Sequence, residues 1–200
     1  MGDPVMNVTS AHALAQTCSL LVFLTLGVWY VAPWVRAQNR ADALIPLLWV
    51  HVFRYAALQL FSAQQAGFPI SDAGRDQIVY GDLVAAALAA VAIVFLRRRA
   101  WLSPLLVWML VAETATDVVR NVTTVGMREH LVGYENGVEW VITTFYVPLV
   151  VVSLGLIMWQ LYSRRGEPLA VPGHRGAAMR PVELELASDT AARAHARGQR

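Results

Sequence analysis

The amino-acid sequence predicts an all-α fold: a polytopic membrane protein with five transmembrane helices in a bundle, its N-terminus outside and its C-terminus in the cytoplasm. Three observations lead to this prediction. Five long apolar runs recur along the chain, arginines concentrate in alternate loops between them, and tryptophan or tyrosine marks several of their ends. A chain that is 56% hydrophobic could also form one large soluble core, so the distribution of these residues decides between the two classes.

Each apolar run has the length of a membrane span. A helix needs about 20 residues to cross the roughly 30 Å hydrocarbon core of a bilayer. The third and fifth runs also lack the polar stripe that a soluble helix carries along one face. The predicted spans are Ala13–Val35, Leu44–Phe68, Ile78–Leu96, Leu102–Val125 and Val138–Tyr162.

Arginine placement predicts how these helices are oriented. Arginines cluster after the first, third and fifth runs, whereas acidic residues accompany the arginines after the second and fourth. Because positively charged loops stay in the cytoplasm, the loops 67–77 and 126–138 are expected outside. Residues 1–12 lack the positive region of a cleavable signal peptide, so the first run is expected to remain in the protein.

The chain divides into three predicted regions. Residues 1–12 form a short extracytoplasmic N-terminus, residues 13–162 a five-helix transmembrane domain, and residues 163–200 a tail. The tail is rich in Arg, Gly, Pro, Ala and Glu and is predicted to be disordered in the cytoplasm. All 16 basic residues are arginine, which is typical of a GC-rich genome and favours a bacterial inner membrane as the location.

Several classes of site are not expected. The single cysteine, Cys18, cannot form an intramolecular disulfide or a cysteine metal site. A formal net charge of +2, without a basic stripe of interleaved aromatics, does not indicate a nucleic-acid partner. His51 is the only histidine within a run, so a haem held by two histidines is not expected, and the spacing supports no metal site. No phosphate loop, nucleophile elbow or H-E-x-x-H motif occurs, and no particular cofactor is indicated.

The fourth run carries three ionisable residues, Glu113, Asp117 and Arg120. Their spacing places all of them on one face of a helix. An ionisable group at the centre of a bilayer costs about 2.5–3.5 kcal/mol even on a mild scale. Buried partners are therefore expected for this face.

The second run adds polar residues at the same depth. His51, Tyr55 and Gln59 follow one another at helical spacing, and Arg54 lies near the middle of the run. In the fifth run, Tyr146 lies in the outer half. Since the inner halves of these runs are apolar, the polar residues are expected to line a pocket that opens outward and is closed below by apolar side chains.

Two ion pairs are expected in this pocket. Arg54 and Glu113 lie at similar depth, so Arg54 is predicted to pair with Glu113 or Asp117. Asp82 of the third run lies nearer the outside and is predicted to pair with Arg120. Three carboxyl groups against two arginines leave one negative charge, which a low-dielectric site resists. A carboxyl group or a nearby histidine is therefore expected to take up a proton.

The leading functional prediction is a proton-sensitive pocket that binds, senses or transports a small or lipophilic ligand. One alternative is a membrane enzyme that performs acid–base catalysis on a lipophilic substrate, with Glu113, Asp117 and His51 as candidate catalytic residues. Another is a structural subunit of a membrane complex, because arginine–carboxylate pairs can simply join helices. The candidate ligand-binding residues are His51, Arg54, Tyr55, Gln59, Asp82, Glu113, Asp117, Arg120 and Tyr146.

Expected partners are the lipid bilayer and a small lipophilic molecule, with a homo-oligomer or a partner membrane subunit left open. Gly81, Ala85, Ala89 and Ala92 form a stripe of small residues along the third run. Such a stripe lets a neighbouring helix backbone come close. Packing within the monomer is the preferred interpretation, and a homodimer face is the alternative.

Three short motifs point to a family. They are Arg75–Ile78 (RDQI), Tyr80–Asp82 (YGD) and Thr144–Leu149 (TFYVPL), all within residues 44–162. In these motifs the chain resembles an uncharacterised family of small bacterial multi-span membrane proteins. The resemblance implies a multi-span fold and no activity, so no functional residue is carried over from it.

Overall fold

A computed structural model of the protein describes residues 7–126, 129, 131 and 137–169. All regular structure in these residues is helical, which confirms the predicted all-α class. Five long helices follow one another: α1 is Val8–Ala37, α2 Arg40–Gln65, α3 Asp72–Arg97, α4 residues 103–126 and α5 Gly137–Ser163. Residues 1–6 of the predicted N-terminal segment and residues 170–200 of the predicted tail lie outside the described residues.

Among the described helices, α1, α2, α3 and α5 are long and apolar enough to cross a membrane. The remaining long helix, α4, differs from these four because it carries Glu113, Asp117 and Arg120 in the second half of its α-helical part, Ser103–Arg120. The length and composition of four helices are therefore consistent with a membrane location.

Four segments of these helices depart from regular α-helical hydrogen bonding. α2 tightens to a 3-10 helix over Phe53–Gln59, and wider π-helical turns occupy Gly27–Val31, Asn121–Gly126 and Ile142–Tyr146. A 3-10 stretch of seven residues is long for this type of helix. In α5 the π-helical turn ends two residues before Pro148, which has no N–H to donate to the preceding turn.

α3 lies between α2 and α4 and has its most extensive contacts with them. α5 packs against α1 and α2. In the described part of α1 only His12, Gly27 and Val35 are buried, and this helix contacts mainly α5. α1 is therefore the most exposed of the five helices.

One hydrophobic core fills the half of the bundle next to the arginine-rich end. We use this name for the end where α1, α3 and α5 finish and α2 and α4 begin. Ala85, Ala89 and Ala92 of α3 are completely buried in this core, as packing within the monomer requires. The larger core side chains are Leu44, Leu47, Leu48, Ile93, Leu96, Val107, Leu110, Val111, Ile157, Leu161 and Leu169.

Two arginines connect the helices at the arginine-rich end. Arg40 donates to the carbonyl oxygens of Leu161 and Glu167, each at 2.8 Å, and Arg164 donates to carbonyls at the end of α1. Leu161 lies in the last turn of α5, where a helix leaves its carbonyls without a partner within the helix. Arg164 also binds the Glu167 carboxylate and lowers the pKa of that group. Residues 163–169, the first residues of the predicted tail, are held on the helix ends in this way.

At the opposite end of the bundle, the connections after α2 and after α4 contact each other. The Glu129 carboxylate accepts hydrogen bonds from the backbone N–H and the hydroxyl of Ser71, at 2.8 and 2.7 Å. Ile70, Val125 and Leu131 form a small buried cluster beside them. The start of α3 is therefore fixed beside the end of α4.

Candidate functional site

Arg54 is the centre of the candidate site. It lies in the 3-10 segment of α2, and only 3% of its side chain is exposed. Its Nε donates to Asp82 Oδ1 at 2.5 Å, its Nη1 to Thr114 Oγ1 at 2.9 Å, and its Nη2 to Asp117 Oδ2. One buried guanidinium therefore joins α2 to α3 and α4. We call Arg54, Asp82, Glu113 and Asp117 the Arg54 cluster.

Glu113 completes this cluster through a longer contact. Its Oε2 lies 3.5 Å from Nη1 of Arg54, which is within ion-pair range but longer than a charge-assisted hydrogen bond. The side chains of Glu113 and Asp117 are 18% and 9% exposed. The predicted pairing of Arg54 with Glu113 or Asp117 is therefore present with both partners.

The predicted pair between Asp82 and Arg120 is wrong. Asp82 binds Arg54 instead, and Arg120 lies at the exposed edge of the site. A guanidinium presents five N–H donors in a planar fork. One arginine can therefore compensate several carboxylates, whereas the prediction assumed one carboxylate for each arginine.

Gly81 allows the Asp117 carboxylate to lie against the backbone of α3. A Cβ atom at position 81 would clash with that carboxylate. Neither Gly81 nor Thr114 is among the residues predicted for the site. For both residues, however, the sequence contains a feature that could have identified them. Thr114 lies three residues before Asp117 and so shares its helix face, and Gly81 directly precedes Asp82 in a motif already noted.

A groove runs beside these carboxylates on the surface between α3 and α4. It consists of two adjoining hollows of about 290 and 440 Å³ that share Gly81, Glu113 and Arg120. Because its walls extend from Ala73 to Val84 on α3, it opens along the side of the bundle rather than at its end. We call it the α3–α4 groove; its other lining residues are Asp76, Gln77, Tyr80, Ala112, Thr116 and Asp117.

The two motifs of α3 supply one wall of this groove and its connection to α4. Gln77 Nε2 donates to Thr124 Oγ1 at 2.7 Å and to Asn121 Oδ1 at 3.2 Å. Arg75 binds Asp76 at 2.6 Å and so compensates the acidic residue at the edge of the groove. The first motif therefore fixes the position of α3 against α4, and the second contributes Gly81 and a carboxylate of the Arg54 cluster.

Three predicted site residues of α2 lie apart from the carboxylates. His51 is fully buried, and its Nε2 lies 3.0 Å from Ser153 Oγ of α5. Tyr55 is half-exposed and Gln59 partly buried. Among the described residues, no hydrogen bond or ion pair joins any of these side chains to a carboxylate of the Arg54 cluster. The predicted face assumes 3.6 residues per turn, whereas the 3-10 segment has about three, so later side chains rotate away from it.

Tyr146 of α5 reaches the irregular part of α2. Its hydroxyl donates to the carbonyl oxygen of Val50 at 2.7 Å. In a regular α-helix this carbonyl would accept from the N–H of Arg54, but the 3-10 segment that begins at Phe53 leaves it free. The Tyr146 hydrogen bond therefore stabilises the distorted turn that carries Arg54.

Comparison with known proteins identifies a family and no activity. A family model described as a domain of unknown function, DUF8737, matches residues 11–162. The chain belongs to this family. Neither the curated proteins nor the solved structures gave a match. The matched region includes the Arg54 cluster and the whole α3–α4 groove, so both features lie within the DUF8737 domain.

The charges of the DUF8737 domain limit the chemistry of the site. Within the Arg54 cluster one arginine faces three carboxylates, and Arg120 adds one positive charge at the edge of the groove. In the described part of the chain no group of three or more His, Cys, Asp or Glu side chains is arranged to hold a metal ion. The arrangement is suited to holding a proton or the polar end of a small molecule.

Proposed function

We propose that the DUF8737 domain is an integral membrane protein that binds, senses or transports a small lipophilic molecule in the α3–α4 groove, in a proton-sensitive manner. One observation carries this proposal: Glu113 and Asp117 line the groove and also compensate Arg54. A molecule in the groove would lie against the Arg54 cluster. Its binding would therefore change the surroundings of buried charges.

The proposal includes α4 as a fifth membrane span. α4 packs closely along α3, and the ion pairs within the bundle offset part of the cost of placing its charged residues in a membrane. The concentration of arginine at one end of the bundle supports a cytoplasmic location for that end, with the N-terminus outside and residues 170–200 as a cytoplasmic tail. The groove would then lie in the outer half of a bacterial plasma membrane and open towards lipid.

Proton sensitivity is supported by the charge balance of the Arg54 cluster. A low-dielectric site resists uncompensated charge, and here three carboxylates share one buried arginine. Glu113 has the longest contact with the guanidinium, so its protonation would relieve the imbalance with the smallest loss of ion pairing. The other ionisable groups are His51 and Tyr146, which interact with Arg54, and Asp76, Tyr80 and Arg120, which line the groove beside the cluster.

The two alternative functions have less support. Acid–base catalysis by Glu113 or Asp117 with His51 would bring these groups together, whereas His51 contacts Ser153 on α5. A cluster whose only function is to join helices does not need carboxylates at an open groove. Glu113 and Asp117 do line such a groove.

Native mass spectrometry of the protein, extracted gently from its own membrane, tests the proposal. We expect a bound small molecule in the wild-type protein and its loss in Glu113→Gln, which preserves side-chain size and removes the charge. Asp42→Asn is the matched control, because Asp42 pairs with Arg99 at the arginine-rich end. An intact protein without a bound molecule, or one whose bound molecule is retained in Glu113→Gln, would contradict the proposal.

A further inference from the structure

Glu113 differs from the other two carboxylates of the Arg54 cluster because Arg54 does not hold it by a hydrogen bond. The guanidinium donates to Asp82, Thr114 and Asp117. Glu113 Oε2 lies 3.5 Å from the nearest guanidinium nitrogen and accepts only a long hydrogen bond, of 3.4 Å, from the Thr114 hydroxyl. It also lines both hollows of the α3–α4 groove. Its oxygens are therefore available to a positively charged group in the groove.

The walls around Glu113 suit an apolar body. Gly81, Val84 and Ala112 present short or apolar surfaces, and the exposed ring of Tyr80 lies along the same wall. The face of a tyrosine ring attracts a cation. Each hollow, at about 290 and 440 Å³, is near the lower end of the range of about 300–1,000 Å³ that is usual for small-molecule sites.

Both hollows of the groove are lined by Glu113 and by Arg120. Arg120 lies seven residues after Glu113, a rise of about 10 Å along an α-helix. On the facing wall, Asp76 is already paired with Arg75. The carboxylates of Asp82, Glu113 and Asp117 outnumber Arg54 and Arg120 by one, so the surroundings of Glu113 carry one negative charge in excess.

From this geometry we infer that the α3–α4 groove binds a lipophilic cation, such as a protonated or quaternary amine, with its charge beside Glu113. This inference rests on the proposed function and names its ligand class. A proton and the cation compete for the same carboxylate, so acid weakens cation binding. The charged and titratable groups around Glu113 are Arg54 on α2, Asp76, Tyr80 and Asp82 on α3, Asp117 and Arg120 on α4, and Tyr146 on α5.

Two probes of matched shape and opposite charge test this inference: tetraphenylphosphonium and tetraphenylborate. Equilibrium binding of each probe is measured on the purified full-length protein at neutral and acidic pH. We expect saturable binding of the phosphonium, about tenfold or more stronger than that of the borate, and weaker phosphonium binding at acidic pH. Glu113→Gln should reduce phosphonium affinity by a similar factor, whereas Asp42→Asn should leave it unchanged.

The outcomes separate the inference from the proposed function. Equal binding of both probes, stronger binding of the borate, or phosphonium binding that is independent of pH would overturn the inference and leave a lipophilic groove in place. If neither probe binds and native mass spectrometry finds no bound molecule, both the inference and the proposed function fail. The probe comparison and the pH series use the wild-type protein, so they decide the question even if Glu113→Gln does not fold.

Discussion

Gly81 and Asp117 share one small volume between α3 and α4. The absence of a Cβ atom at Gly81 lets the Asp117 carboxylate reach the α3 backbone while it accepts a hydrogen bond from Arg54. Asp117 cannot move away without weakening its bond to a buried guanidinium. At this position the close approach of two helices and the pairing of buried charges therefore depend on one another.

Gly81→Ala should destabilise the protein by about 1–3 kcal/mol, the usual cost of overpacking a closed site. Thermal unfolding in detergent measures the effect. Gly155→Ala is the matched control, because no described atom beyond its chain neighbours and its own helix backbone lies within 4 Å of the position of its Cβ. That variant should be neutral or stabilising by up to about 1 kcal/mol, since alanine favours helix more than glycine does. Equal behaviour of the two variants would show that Asp117 is not confined by Gly81.

At the scale of helices, α2 and α5 depend on each other through their irregular turns. The 3-10 segment of α2 releases the Val50 carbonyl, and Tyr146, in the π-helical turn of α5, donates to it. Without that donor the carbonyl would lose its hydrogen bond inside the bundle. The distorted conformation around Arg54 is therefore supported by a side chain from a helix distant in sequence.

Tyr146→Phe should destabilise the protein by about 1–2 kcal/mol, because it removes the hydrogen bond to a partly buried carbonyl. Tyr162→Phe is a suitable control, because the Tyr162 ring is 66% exposed and its hydroxyl makes no hydrogen bond within the described residues. Unfolding midpoints of the two variants provide the comparison. A loss of stability that is as large in Tyr162→Phe would argue against a specific role for the bond to Val50.

At the scale of the whole molecule, the five-helix bundle has an apolar half and a polar half. The core fills the half next to the arginine-rich end, where Arg40 and Arg164 bind carbonyls at the ends of α5 and α1. The other half contains the Arg54 cluster and the α3–α4 groove. The site is therefore built on helices whose opposite ends are firmly connected.

Arg40→Ala should cost about 1.5–3 kcal/mol, because two charge-assisted hydrogen bonds to carbonyl oxygens are lost at a mostly buried position. Arg98→Ala should change stability by less than about 0.5 kcal/mol, since Arg98 is exposed and has no side-chain partner among the described residues. Chemical unfolding of both variants tests this difference. Similar losses in both would indicate that arginine charge at this end, rather than the bonds of Arg40, stabilises the bundle.

The sequence alone determined the fold class and the main helices of this protein. It did so through the length of the apolar runs and the positions of the polar residues within them. They predicted an all-α fold, the five long helices, an apolar half next to the arginines, and the shared face of Glu113 and Asp117. These features depend on composition and on the repeat of a helix, both of which are local properties of the chain.

Only the tertiary structure decided which hydrogen-bond or ion-pair partner each polar residue has. A regular repeat placed His51 and Tyr55 beside the carboxylates, but His51 contacts Ser153 of α5, and Tyr55 lies in the 3-10 segment, which changes the rotation of its side chain about the axis of α2. Arg54 meets three carboxylates because α2, α3 and α4 converge on one guanidinium. Gly81 of α3 faces Asp117 of α4, and both residues line the α3–α4 groove. Helix rotation, local distortion and the reach of long side chains are set by packing between distant segments, so sequence spacing alone does not determine them.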